Sequence, residues 1–117
     1  MEKVKIGIVG CGSFGNYHLD TLLRREDVEV VALATENEER LRATGAKVPS
    51  ARLYPDHRAM FAGEPELNAI LVCVPPSRHG DIEICAAERG VHMYVEKPLA
   101  LTLAANRSLE TGEVVLL

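Results

Sequence analysis

Ile6-Gly7-Ile8-Val9-Gly10-Cys11-Gly12-Ser13-Phe14-Gly15 decides the fold. Its first four residues complete an apolar run over 4–9 that reads as a strand, and its last six fit G-x-G-x-x-G. Leu19, Leu22 and Leu23 follow at helical spacing, so 14–25 reads as an amphipathic helix. Each glycine has a physical reason where a strand turns straight into a helix. Gly10 allows the tight turn. Gly12 carries no Cβ, so a pyrophosphate can approach the main chain. Gly15 lets helix and strand pack closely. The helix N-terminus adds unpaired N–H groups and about half a positive charge. The competing reading is a tight strand–helix turn that binds nothing. The motif's place, at a strand end and a helix start, favours the anion.

Outward from this turn, strand and helix patterns alternate. Residues 28–34 form a second strand, apolar at almost every position, as in strands covered on both faces. A short polar helix over 37–44 is expected to stop at Gly45 as its C-cap. Residues 51–54 read as a short third strand, and Asp56 as the cap of a helix over 57–62. The run 69–74 is the strongest strand pattern, expected to lie centrally and to end at Pro75-Pro76. Ser77 is expected to cap a helix with Ile82, Cys85, Ala86 and Arg89 on one face, closed by Gly90. A fifth strand follows over 91–95, a last helix from Thr102 to about 110, and a sixth strand over 113–117. This predicts an α/β fold: a doubly wound, mainly parallel Rossmann-type sheet with helices on both faces.

The chain has 117 residues, one small domain's worth, of which 47% are hydrophobic, with mean hydropathy +0.02. Thirteen Lys and Arg against seventeen Asp and Glu give a net charge of −4. Nonspecific nucleic-acid binding needs clustered cations, and no basic run offsets this balance, so no nucleic-acid partner is expected. No apolar stretch approaches the ~20 residues of a membrane helix, so no membrane partner is expected either. The N-terminus reads straight into the strand pattern, so no signal peptide is expected. Cys11, Cys73 and Cys85 are odd in number and lack metal spacing; they read as reduced thiols of a cytoplasmic protein.

A dinucleotide-binding fold commonly places an acid at the tip of the second strand, on the adenosine ribose. That position falls at Thr35, followed by Glu36. A Thr hydroxyl makes one hydrogen bond without repelling a 2′-phosphate, and Arg40, one turn on, can reach such a phosphate. Alternatively Arg40 pairs with Glu36 at i,i+4, or Glu36 supplies the ribose carboxylate. NAD and NADP both stay open.

Three segments together resemble one family. They are 6–15 followed by His18, then Val72-Cys73-Val74-Pro75-Pro76-Ser77-Arg78-His79, and Gly90-Val91-His92-Met93-Tyr94-Val95-Glu96-Lys97-Pro98-Leu99-Ala100-Leu101-Thr102. The chain is similar to the nucleotide-binding domain of the glucose–fructose oxidoreductase/inositol dehydrogenase (Gfo/Idh/MocA) family, with Glu96-Lys97-Pro98 the most specific element. The resemblance implies a domain over 1–117 that binds NAD or NADP, in an oxidoreductase acting on a sugar, polyol or related hydroxy compound. The candidate cofactor contacts are Gly10, Cys11, Gly12, Ser13, Phe14 and Gly15 of the turn and, at the second-strand end, Thr35, Glu36 or Arg40; to these the resemblance adds Val74, Pro75, Pro76, His79, Glu96 and Lys97. Lys97 is the implied catalytic residue, beside the nicotinamide and the reacting oxygen, and its bond to Pro98 is often cis in the family. No metal is implied.

The family's larger C-terminal substrate domain is absent from these residues, and the segment after Thr102 departs from the family pattern. The expectation is a truncated or isolated domain that is inactive alone. The apolar face left by the missing domain is then expected to support a homodimer. The alternative is a non-enzymatic nucleotide-binding or self-associating module.

Overall fold

The computed structural model describes residues 3–75 and 78–95. In chain order the elements are β1 (Val4–Val9), α1 (Ser13–Leu22), β2 (Val28–Ala34), α2 (Glu38–Gly45), β3 (Arg52–Tyr54), α3 (His57–Gly63), β4 (Ala69–Val72), α4 (Asp81–Glu88) and β5 (His92–Val95). The five strands form one sheet in the order β3-β2-β1-β4-β5, every pair parallel. This is the doubly wound order expected when each crossover is a helix and the chain reverses direction beside β1.

Alternation along the strands sends side chains to two separate cores. Ile8, Val30, Leu33 and Leu71 pack with Leu19 of α1 and Leu41 of α2. Val9, Ala32, Ala34, Ile70 and Val72 pack with Met60 and Phe61 of α3 and with Ile82, Cys85 and Ala86 of α4. Both faces are therefore covered, which is why β2 and β4 are apolar without alternation. The β1–β2 register slips once: Ile6 pairs with Val30 and Gly7 with Ala32, leaving Val31 as an extra residue.

β4 lies inside the sheet as expected, between β1 and β5, with β1 in the middle of the five described strands. Several boundaries differ from the sequence expectations. β4 stops at Val72, two residues early. α1 ends at Leu22, and its last turn tightens, with Arg24 N–H reaching the Thr21 carbonyl (3.2 Å) and Arg25 N–H that of Leu22 (3.0 Å). Asn37 lies outside α2 and caps it, its Oδ1 accepting from Arg40 N–H at 3.0 Å. Gly45 is not a C-cap. It lies inside α2, where a Cβ would come within 2.9 Å of the Leu53 methyls, so it serves close packing. Asp56 caps α3 as expected, accepting from Ala59 N–H at 2.8 Å. Gly90 takes φ +67 after α4. The helix from Thr102, the strand over 113–117 and Ser77 lie outside the described residues.

One acid is buried. Glu64 follows α3 and is 6% exposed. Arg52 of β3 donates two N–H bonds to its carboxylate, and the Tyr54 hydroxyl donates a third. The Arg52 bonds hold the Glu64 carboxyl below the usual range against the opposing effect of burial, with Tyr54 adding to the lowering. The network ties the edge strand to the segment leading into β4. Because the folded-state pKa is depressed, its stabilisation is complete above the ordinary glutamate range and disappears as pH falls through the folded value. Glu64→Gln is expected to cost ~1–3 kcal/mol at neutral pH. It should also flatten the acid limb of a Tm-against-pH curve recorded by circular dichroism; parallel acid limbs for variant and parent would refute this.

Candidate functional site

The glycine turn lies at the carboxyl end of β1. Gly10 takes φ +100, and a Cβ there would run into the Cys73 carbonyl of the neighbouring strand end. A Cβ on Gly15 would strike the Gly10 carbonyl. Gly12 differs. Its φ is −86, and the nearest atom to a Cβ there, apart from its chain neighbours, is Nη1 of Arg40 at 3.8 Å. The fold needs two of these glycines; the third leaves open space.

The start of α1 faces that space without a cap. No side chain accepts a hydrogen bond there, and the first turn carries no acid. The first helical bond runs from Asn16 N–H to the Gly12 carbonyl (3.0 Å), so the N–H groups of Ser13, Phe14 and Gly15 precede the ladder. The Cys11 side chain turns into the core and is 3% exposed, where burial pushes its thiol pKa up. Phe14 is exposed.

Asn16 is the residue that sequence reasoning missed. Its Nδ2 lies 3.1 Å from the Cys11 carbonyl, 3.0 Å from that of Gly12 and 3.1 Å from Thr44 Oγ1. Its Oδ1 accepts from Lys47 Nζ at 3.1 Å. The amide therefore fixes the carbonyls of the turn and joins them to α2. Its place just after the third glycine, in the first turn of a helix, was the available signal.

The loop after β4 borders the same turn: Cys73 N–H bonds to the Val9 carbonyl (2.8 Å), and Val74 Cγ1 would lie 3.1 Å from a Cβ on Gly10. His79 braces this loop, with Nδ1 2.5 Å from Glu83 Oε1 and Nε2 3.1 Å from the Val74 carbonyl. Both ring nitrogens therefore face oxygen atoms of the loop and of α4. Arg78 N–H reaches the Pro75 carbonyl (2.9 Å), Gly80 takes φ +115, and Glu83 accepts from Gly80 N–H at 2.6 Å. These turns delay α4 to Asp81, and Gly80 occupies its cap position.

At the end of β2, Thr35 N–H bonds to the Tyr54 carbonyl (3.2 Å), and its Oγ1 lies 3.5 Å from Asn37 N. Glu36 pairs with Arg78 from the β4 loop and not with Arg40. Among the described residues no carboxylate pairs with Arg40, whose guanidinium instead lies beside Gly12. The structure thus gathers the turn 10–15, Thr35, Arg40, Val74 and His79 at one end of the sheet. His18 stacks edge-on with Tyr17 and Tyr94. Pro76, Glu96, Lys97 and the Lys97–Pro98 bond lie outside the described residues. A hollow of about 270 Å³ at the opposite end of the strands is bordered by Lys5, Arg52, Glu64 and Glu66. Those charges already pair with one another.

Residues 4–111 match the oxidoreductase family described by its NAD-binding Rossmann fold (Gfo/Idh/MocA). The chain is 35% identical over 109 residues to D-apiose dehydrogenase of Paraburkholderia graminis, covering 93% of this chain and 29% of that one. It is 32% identical over 101 residues to myo-inositol 2-dehydrogenase of Thermotoga maritima, covering 86% and 30%. Among solved structures it is similar to myo-inositol dehydrogenase from Lactobacillus casei in complex with NAD(H) and myo-inositol. That match has a TM-score of 0.77 at 30% identity and covers 92% of this chain and 32% of the other. The chain thus spans about 30% of the length of the curated relatives it matches. Among the described residues no helix is long and apolar enough to cross a membrane.

The three glycines should separate on substitution. Gly10→Ala and Gly15→Ala are expected to lose cooperative thermal unfolding, because backbone carbonyls occupy the added volume. Gly12→Ala is expected to stay within about 0.5 kcal/mol of the parent, as at an unstrained open position. Equal damage at all three positions would contradict the open space at Gly12.

Proposed function

Since this chain belongs to the Gfo/Idh/MocA oxidoreductase family, we propose that it forms the cofactor half of a sugar or polyol dehydrogenase. The reaction moves hydride between a carbinol carbon and NAD(P). The observation that carries the reading is the contrast at Gly12, a glycine the fold does not require, facing uncapped helix N–H groups. That arrangement fits a diphosphate: bare main chain for close approach, donors without acceptors, and a positive helix end. It also explains how a chain of net charge −4 takes an anionic cofactor.

NAD(P) supplies the hydride-accepting nicotinamide. The protein's part is placement, exclusion and the proton. Ser13, Phe14 and Gly15 N–H groups hold the diphosphate, with Asn16 fixing the turn. Val74, Pro75 and Pro76 line the cofactor, and His79 braces their loop. Lys97, with Glu96 beside it in sequence, stabilises alkoxide charge at the reacting oxygen and takes its proton. The relatives named above act on inositol and apiose, and a polyol or sugar of that class is the proposed substrate. These 117 residues alone bind cofactor without turnover, because a hydride site without a substrate wall neither orients substrate nor excludes water.

The β2 corner sets cofactor choice. Thr35 is neutral where an acid would repel a 2′-phosphate, and Arg40 lies free of carboxylate partners among the described residues. The chain is therefore proposed to accept NADP(H) as well as NAD(H).

Titration with NADH and NADPH, followed by nicotinamide fluorescence, tests both points. Both should bind, and Gly12→Val should weaken each by about tenfold or more, ~1.4 kcal/mol. Retained affinity in that variant would remove the diphosphate reading. Thr35→Asp should favour NADH, and Arg40→Ala should cost NADPH more than NADH. Equal losses for both cofactors in Arg40→Ala would place the guanidinium at the diphosphate and refute its role in selection.

A further inference from the structure

On the α3–α4 face of the sheet three residues of different donor chemistry converge. His57 is the first residue of α3, Asp81 the first of α4, and Cys85 lies one turn further on the same face of α4. His57 Nε2 is 2.5 Å from Asp81 Oδ2, Cys85 Sγ is 3.8 Å from the same oxygen, and one donor atom from each residue lies within 4.8 Å of the others. We propose that His57, Asp81 and Cys85 bind a zinc ion that pins α3 to α4.

The donor set selects the metal. One imidazole, one carboxylate and one thiolate suit zinc's borderline-soft character, whereas magnesium and calcium take oxygen shells. Ligands about 2.0–2.3 Å from a tetrahedral zinc lie about 3.4–3.6 Å apart. The three atoms therefore need movements of roughly 1 Å to embrace an ion. Their surroundings are graded: Cys85 is buried in the α3–α4 core, His57 is part-buried, and Asp81 is open to solvent, leaving the fourth position to water.

Arg58 completes the arrangement. Its Nη2 donates to Asp81 Oδ1 at 2.6 Å and its Nε to Oδ2 at 3.0 Å. Held through Oδ1, the carboxylate keeps Oδ2 directed at His57 and Cys85, the orienting role that a partner of a metal-binding carboxylate performs. Zinc would displace the protons of the His57 Nε2 and Cys85 Sγ contacts to Asp81, so binding releases protons and weakens in acid. The role is structural: α3 and α4 otherwise meet through Phe61, Ile82 and Cys85 and through these polar contacts.

Cobalt substitution tests the site without reference to dinucleotide binding. The chain, stripped with chelator, is titrated with Co2+ at neutral pH. The expected result is a thiolate-to-cobalt charge-transfer band with intense tetrahedral visible bands, saturating at one equivalent and erased by zinc but not by magnesium. His57→Gln and Cys85→Ser should abolish these bands, while Cys73→Ser keeps them. Zinc should also raise the Tm of the parent and not that of Cys85→Ser. No charge-transfer band in the folded parent would overturn the proposal whatever the variants do. Bands that survive Cys85→Ser, or that vanish in Cys73→Ser, would equally overturn it by placing the metal elsewhere.

Discussion

Main chain touches main chain at the carboxyl end of β1, and the remaining site geometry follows from that closeness. Gly15 rests on the Gly10 carbonyl and Gly10 on the Cys73 carbonyl, so α1, β1 and β4 approach with no side chain between them. This contact sets where α1 begins and which way its uncapped N–H groups point. The same contact brings the Val74 loop beside the turn. Side chains then reinforce what the backbone has fixed: Asn16 across to Thr44 and His79 across to Val74.

The two cores on either side of the sheet have different neighbours. α1 and α2 cover the face whose helix start forms the phosphate corner, and Asn16, Thr44 and Lys47 link these helices by hydrogen bonds. α3 and α4 cover the other face, where buried Glu64 and the His57–Asp81–Arg58 cluster fasten elements at two separate places. Glu64 answers to β3 and Asp81 to α3. Neither network reaches the glycine turn, so changes to them bear first on stability.

Much of the architecture was legible because burial on both faces leaves unbroken apolar runs, as at 28–34 and 69–74. Asp56 and Gly90 were legible because caps obey local chemistry. Gly10, Gly12 and Gly15 could be read as a motif, yet their division into two structural glycines and one open one required knowing what faces each Cβ. Misread features were those that depend on residues distant in sequence. Gly45 looked like a cap until Leu53 was placed against it. Arg40 looked like a partner for Glu36 until Arg78, 42 residues from that glutamate, took it. The Val31 register slip and the buried Glu64 left no local signature.

The parallel order has a consequence for how the chain comes into being. β1 leads the sequence, but its partner on one side is β4, and the floor under Gly10 is the carbonyl of Cys73. A growing polypeptide emerging N-terminus first can align β1 with β2 early, since those strands are separated by one helix. The phosphate corner, however, has no floor until residues 16–73 have followed the turn through the ribosome. The earliest-made part of the domain is thus among the last to acquire its working shape, and nascent chains halted before β4 should leave the first strand with one bare edge.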